Sequence, residues 1–146
     1  MKYVVEATES ELAAVRRVEE KLKTVKQNGM ETWHVLHGGI YSRTIFLEKD
    51  QVIVGAQIKV PTTIMINGSL LISSGGESFE IKGVNIIPAS KNRKQIMKAT
   101  EKTSVTMCFA TSAKTVEEAE EEFSDEAGNL MSRFSDSINH INITGE

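Results

Sequence analysis

The chain has 146 residues, of which 40% are hydrophobic and 25% are charged, and its formal net charge is −3. This composition suits one globular domain and excludes a disordered or fibrous chain, while the single cysteine, Cys108, excludes an internal disulfide. The negative charge gives no general attraction to nucleic acid or to an anionic membrane. We therefore expect the chain to bind neither. Because the first fifteen residues lack the apolar run of a secretory signal, we expect the chain to be made and assembled in the cytoplasm.

Residues 8–29 have the pattern of an amphipathic helix. Thr8 and Glu11 form a capping-box pair, and Asn28 followed by Gly29 is a typical stop. Two interpretations of its apolar stripe are open: it packs on its own domain, or it pairs with a neighbouring subunit. The stripe recurs at three- and four-residue spacing and consists of Leu12, Val15, Val18, Leu22 and Val25.

Trp33, His34 and His37 follow this helix in a stretch expected to be extended or a loop. Trp33 is the only tryptophan, and we expect it to anchor the linker on the domain, with contact to a partner as the alternative. Two histidines at a spacing of three can be metal ligands, but without nearby carboxylates we interpret them as structural.

Between residues 40 and 111 the pattern changes to that of short strands rich in Ile, Val and Thr. Turns are predicted at Lys49-Asp50, Asn67-Gly68, Gly75-Gly76 and Lys91-Asn92. Since no helical pattern interrupts them, the strands predict an antiparallel sandwich or barrel. They are expected at residues 40–47, 52–60, 63–66, 69–73, 78–81, 84–87, 95–99 and 104–109.

Residues 115–134 again have a helical pattern, with a capping-box pair at Thr115 and Glu118 and a bend at Ser124-Asp125 that can divide it into two helices. We interpret the glutamates between 117 and 122 as a solvated face. The tail, residues 135–146, adds an edge strand or has no fixed structure. The apolar stripe comprises Val116, Ala119, Phe123, Ala127, Leu130 and Phe134.

Four basic residues lie around the last predicted turn, and Cys108 lies in the closing strand. We expect the basic group to form a solvated or partner-facing surface, because no aromatic residues alternate with it as nucleic-acid stacking requires. Cys108 is expected to be a buried structural cysteine rather than a nucleophile. The basic group is Lys91, Arg93, Lys94 and Lys98.

Residues 37–112 resemble the cupin family, and in particular small cupin-fold proteins of phage and prophage genomes. The resemblance is carried by the segments at residues 39–44, 52–59, 67–68, 75–76, 88–93 and 103–111, and the stretch at 115–133 resembles the ending of the phage group. It implies a mainly β fold: a cupin-like jelly-roll barrel at 37–112, an N-terminal helix and linker at 1–36, and a C-terminal acidic helix and tail at 113–146.

The resemblance also shows where metal ligands would stand. The histidines and the acidic residue of metal-binding cupins correspond to positions near Ile58, Pro61 and Thr62, and near Arg93 or Gln95. None of these is His, Glu or Asp, and residues 55–67 contain no His, Cys, Asp or Glu. We therefore expect no metal and no cofactor.

The resemblance implies a non-catalytic structural or decoration protein of a bacteriophage virion, a head or tail component that binds copies of itself and other virion proteins. Candidate partner-binding residues are the helical stripe given above, Trp33, Arg93 and Lys94. No catalytic residues are expected. The alternatives are a metal-free small-ligand binder or enzyme that uses Arg43, Gln57, Lys59 or Arg93, and a cytoplasmic interaction or regulatory module.

Overall fold

The computed structural model describes residues 3–25, 29–74 and 76–146. Strands predominate; one helix precedes them in the chain, and a second lies between the seventh and eighth strands. The elements in chain order are α1 (Glu9–Leu22), β1 (Glu31–His37), β2 (Ile40–Leu47), β3 (Val52–Val54), β4 (Thr62–Ser74), β5 (Glu77–Ala89), β6 (Ile96–Ala99), β7 (Thr103–Ala110), α2 (Val116–Phe123), two 3₁₀ turns (Ala127–Asn129 and Met131–Arg133) and β8 (Ile138–Ile143).

The described strands join into one sheet that curls into a half-barrel. The order is β3-β6-β4-β7-β2-β1-β8, and β5 pairs along the other side of β4. All pairs are antiparallel except β1 with β8. The mainly β fold with a helix at each end is therefore confirmed.

Two clusters of buried side chains fill the concave side of the sheet. One is aliphatic and includes Leu47, Ile66 and Leu70, and the other is aromatic, with Tyr41 and Phe123 at its centre. Phe123 belongs to α2, and its packing against Tyr41 holds the helix on the sheet. Burial of these side chains is the main stabilising term of such a fold.

The prediction of a turn at Asn67-Gly68 is wrong, because both residues lie inside the long strand β4. Gly68 has a φ of +141° and pairs with Gly83, so the pattern reflects a change of partner rather than a hairpin. Here β4 stops pairing with β7 and begins to pair with β6. A Cβ on Gly68 would lie 2.4 Å from Thr103 Oγ1, so this close approach requires glycine.

The sheet also includes residues on both sides of the predicted strand region. The segment before residue 37, expected as a linker, contains β1, and the tail contains β8, so the edge-strand alternative is correct. The helix predicted at 8–29 ends at Leu22, where Thr24 Oγ1 donates to the Lys21 carbonyl at 2.7 Å. The stop signal at Asn28 lies outside the described residues.

Both predicted capping boxes contain the expected hydrogen bond from the N3 backbone N–H. Thr8 Oγ1 accepts from Glu11 N at 3.2 Å, and Thr115 Oγ1 accepts from Glu118 N at 3.1 Å. The second helix ends at Phe123, with Ser124 as its C-cap, and the chain continues as 3₁₀ turns. Among the described residues, no helix has the length and apolar character needed to cross a membrane.

Candidate functional site: an apolar cavity in the half-barrel

A cavity of about 150 Å³ lies between the curled sheet and the segment that follows α2. Its wall comes from five strands, from the segments that precede β4 and β6, and from residues 123–131, which cover it on one side. Most of the lining side chains are apolar, and methionine is frequent among them. Because methionine is flexible and polarizable, such a wall adapts to different apolar shapes. The methionines are Met30, Met97, Met107 and Met131.

Arg93 lines this cavity and is only 2% exposed. Its Nη1 donates to the Ser90 carbonyl at 2.7 Å and to the Val60 carbonyl at 3.3 Å, and its Nη2 donates to Thr62 Oγ1 at 2.6 Å. Its Nε–H has no acceptor among the described residues. Burial lowers the pKa of the Arg93 guanidinium to about 10, which still leaves it protonated at neutral pH.

Arg43 also lines the cavity and is 8% exposed, but it has a counterion. Its Nη1 donates to Glu120 Oε2 at 2.8 Å, and its Nη2 donates to Ser132 Oγ at 2.8 Å. Arg133 Nε donates to the other oxygen of Glu120 at 3.0 Å. This network joins β2, α2 and the second 3₁₀ turn, and it therefore holds the cover of the cavity against the sheet.

Lys94, the residue next to Arg93, faces α1 and the loop after α2. Its ammonium group is fully buried and lies 2.9 Å from Glu19 Oε2 and 2.8 Å from Glu126 Oε2. Burial alone would raise the pKa of the Glu126 carboxyl. Hydrogen bonds from Lys94, from the backbone of Gln57 and from Arg16 outweigh burial and lower that pKa to about 2.

The prediction that Arg93 and Lys94 belong to a solvated or partner-facing surface is wrong. Arg93 and Lys94 are 2% and 3% exposed, whereas Lys91 and Lys98 are exposed. The two buried residues follow the turn at Asn92, which has a φ of +54°, and in this extended segment their side chains point to opposite sides. One contributes to the cavity and the other to the docking of α1.

The α1 stripe faces its own domain. Val15 is 8% exposed and Leu12, Val18 and Leu22 are half-buried, while Val25 lies beyond the helix and is 58% exposed. Val15 and Val18 line a pocket together with Val4 and Ile96. The burial of Val15 and the ion pair of Glu19 with Lys94 favour the interpretation that the stripe packs on its own chain.

Trp33 does not anchor the core. It lies on the outer face of β1, is 46% exposed, and stacks on His140 of β8 with ring centroids 4.1 Å apart. The expectation of core anchoring is wrong because side chains alternate across a strand, and the inner positions belong to Thr32 and His34.

His34 and His37 cannot share a ligand, because a spacing of three places them on opposite faces of β1. His34 is buried between the Tyr41 hydroxyl and Asn139 Oδ1, each at 2.7 Å, and burial lowers its pKa. His37 is exposed and contacts Thr144 Oγ1. The structural interpretation of His34 is thus supported by its contacts with β2 and β8.

Cys108 is half-buried rather than buried. Its Sγ lies 3.6 Å from the Thr63 carbonyl, and burial raises the pKa of the thiol. A raised pKa reduces the thiolate fraction, and this agrees with the expected lack of a nucleophilic role.

Of the positions where the resemblance places metal ligands, Ile58, Arg93 and Gln95 line the cavity. Thr62 accepts a hydrogen bond from Arg93, whereas Pro61 is exposed and does not line the cavity. The described residues contain no group of three or more His, Cys, Asp or Glu side chains placed to hold a metal ion. The donor set, one guanidinium with one amide, suits an anion rather than a cation.

Sequence reasoning missed Glu120, which is 3% exposed and not part of a solvated face. One signal was available, because Glu120 lies four residues after Val116 and three before Phe123, within the apolar stripe of α2. A carboxylate at such a position requires a buried cation, and Arg43 provides it.

No family model matches the chain, and no curated protein is similar to it. Solved structures that resemble it include the Schizosaccharomyces pombe Cnp3 cupin domain, with 12% identity, a TM-score of 0.48, and coverage of 62% of this chain and 72% of that one. A cupin superfamily protein from Desulfitobacterium hafniense has 7% identity, a TM-score of 0.49, and coverage of 77% and 100%. These similarities carry no information about activity.

Proposed function

We propose that this chain is a binding module for a small molecule that lies in the cavity of the half-barrel. The observation that carries the proposal is an apolar cavity of about 150 Å³ with a few polar groups at its wall. Ligand sites have this character: apolar lining with few, well-placed polar groups. A dry apolar cavity of similar size holds a single six-membered ring, as benzene in an engineered protein cavity.

The polar groups at the wall favour binding without chemistry. Glu126, the carboxylate with a pKa of about 2, is held ionised by Lys94 and Arg16 and is a poor proton acceptor. Arg43 is held by Glu120. The proposal is thus a non-enzymatic binder, the ligand-binding alternative from the sequence.

Ala56→Leu tests the proposal, because Ala56 lines the cavity and a larger side chain fills it. Ala110→Leu is the matched control at an exposed position at the end of β7. With toluene as the probe, thermal unfolding of the wild type and the control should shift upward with saturation, and Ala56→Leu should lose the shift. Equal shifts in all three proteins, or no shift in any of them, would contradict the proposal.

A second proposal is homo-oligomeric assembly, in the virion role that the resemblance implies. Its support lies on β5, which pairs only with β4 among the described strands and carries two exposed apolar side chains: Val84 is 76% exposed and Ile86 69%. Such sheet edges pair readily with another chain. We assign this surface to a second copy of the chain, with other virion proteins as further partners.

Two measurements test this second proposal. The first is the molar mass of the protein by light scattering as it elutes from a size-exclusion column, and the second is mass spectrometry of purified phage particles. We expect an oligomer that Val84→Lys with Ile86→Lys dissociates, and stoichiometric copies in the particle. A monomer at high concentration, or particles that lack the chain, would rule the assembly role out and leave the cavity proposal unaffected.

A further inference from the structure

We propose that the ligand is a small monocarboxylate with an apolar body, and that Arg93 binds its carboxylate inside the cavity. This inference rests on the proposed function, and it names the chemical class of the ligand. Two observations carry it together: a guanidinium group at the cavity wall with an unused donor, and the apolar lining around that group.

The first step is the missing counterion. Among the described residues, the two other buried cations have carboxylates within 3 Å: Arg43 has Glu120, and Lys94 has Glu19 and Glu126. Within the described residues, Arg93 is bonded only to neutral acceptors. Because burying an unpaired charge is expensive, a binding partner that brings a negative charge is strongly favoured at this position.

The second step is the geometry of the guanidinium group. Its Nε–H and one Nη2–H lie on the same edge of the planar fork, and a carboxylate accepts from such an edge with both oxygens. Here the Nε–H has no acceptor and is closed off from solvent, and Met107, which lines the cavity, lies with its Sδ 3.8 Å from Nη2. Since a thioether is a weak acceptor on a flexible side chain, a carboxylate that displaces Met107 reaches these donors.

The third step concerns the body of the ligand. Ile58, Met107 and Phe123 line the cavity, and the volume of about 150 Å³ suits a ring or a short branched chain. In the part of the chain that the structure describes, the wall offers one cation without a carboxylate, Arg93, because Arg43 is already paired with Glu120, so the site compensates a single negative charge. A dianion such as phosphate, which has no apolar part, fits this site poorly. The class is therefore a monoanion with one apolar end.

Calorimetry at pH 7 with benzoate and benzamide tests the inference, because the two probes share shape and differ in charge. We expect benzoate to bind about tenfold more tightly than benzamide, the difference that a charge-assisted hydrogen bond confers. We also expect acetate, which lacks the ring, to bind about tenfold more weakly than benzoate. Arg93→Met should remove the preference for benzoate and retain binding of benzamide.

Arg93→Lys is the control, because it keeps the charge but cannot offer two parallel donors; it should give an intermediate preference. The comparison of probes in the wild type needs no variant, so it stands even if a substitution unfolds the protein. Equal affinity for benzoate and benzamide would overturn the carboxylate assignment and leave the binding module intact. If neither probe binds although toluene stabilises the protein, the carboxylate assignment fails; if toluene also gives no stabilisation, the proposed function itself fails. Displacement of benzoate by equimolar phosphate would also overturn the assignment.

Discussion

Two buried arginines line the same cavity and differ in what surrounds them. Arg43 donates to Glu120 and Ser132, which come from the C-terminal segment, so its charge is compensated within the chain. Arg93 donates to two backbone carbonyls and a hydroxyl, and its Nε–H is unpaired. The comparison separates a structural cation from one with unused binding capacity.

The difference follows from where each arginine lies. Arg43 is in β2, opposite α2, which brings Glu120 to it at 2.8 Å. Arg93 is in the irregular segment before β6, and it bridges to Ile58 on a stretch without acidic residues. Burial without a carboxylate is tolerated where neutral acceptors solvate the group, and such positions are candidates for binding an anion.

The largest loss of unfolding free energy is expected from Glu120→Ala, because it leaves Arg43 without a carboxylate partner, as Arg93 is in the wild type. Removing one partner of a buried ion pair costs about 3–5 kcal/mol, because the remaining charge is left uncompensated. Urea unfolding should show this loss. The double variant Arg43→Met with Glu120→Leu should recover most of it, since an apolar pair of similar volume needs no compensation. A loss below about 1 kcal/mol in Glu120→Ala, as for an exposed ion pair, would contradict the structural role.

A smaller effect is expected from Arg93→Met. The substitution leaves the Val60 and Ser90 carbonyls without their donor, which costs about 1–3 kcal/mol, but it also removes an uncompensated buried charge. Urea unfolding in the absence of ligand should therefore show a smaller loss than for Glu120→Ala. If Arg93→Met were the more destabilising of the two, Arg93 would be the structural cation and the comparison would be reversed.

The smallest effect on the free energy of unfolding is expected at Lys94, which pairs with the carboxylates of both Glu19 and Glu126. The Glu126 pKa of about 2 lies below its ordinary value of 4.5, so Glu126 contributes stability above pH 4.5 that is lost as the pH falls toward 2. Glu126→Gln should make the decline in unfolding free energy shallower over this range. The change should be modest because Glu19 still pairs with Lys94. Parallel declines in wild type and variant would show that Glu126 does not contribute.

The spacing of hydrophobic residues, the capping boxes and the turn residues were sufficient to predict a mainly β chain with an N-terminal and a C-terminal helix. They could not predict that β4 and β5 are continuous, because Asn67-Gly68 has the composition of a hairpin turn and acts as a change of strand partner. The local sequence indicates which backbone conformations are favoured. It does not indicate the approach of Thr103 to Gly68, because Thr103 belongs to a strand that is distant in the sequence.

The site was harder to predict than the fold. Arg93 and Lys94 lie in a basic cluster, for which exposure is the usual outcome, and only the tertiary position of Glu19 and Glu126 explains why Lys94 is buried. Of the positions where the resemblance places metal ligands, Ile58, Arg93 and Gln95 do line one cavity, and Thr62 contacts Arg93. The sequence did not reveal the chemistry of this site, because a guanidinium stands at one of these positions and its surroundings depend on the tertiary fold.

The most direct test is to follow the arginine Nε–H signals by nitrogen-15 NMR during a benzoate titration, with Arg93 assigned from the spectrum of Arg93→Lys. The Arg93 Nε–H signal should move downfield and saturate at the affinity found by calorimetry, while the Arg43 signal stays in place because Glu120 already compensates it. Movement of the Arg43 signal alone, or benzoate binding that leaves the Arg93 signal unchanged, would contradict the account.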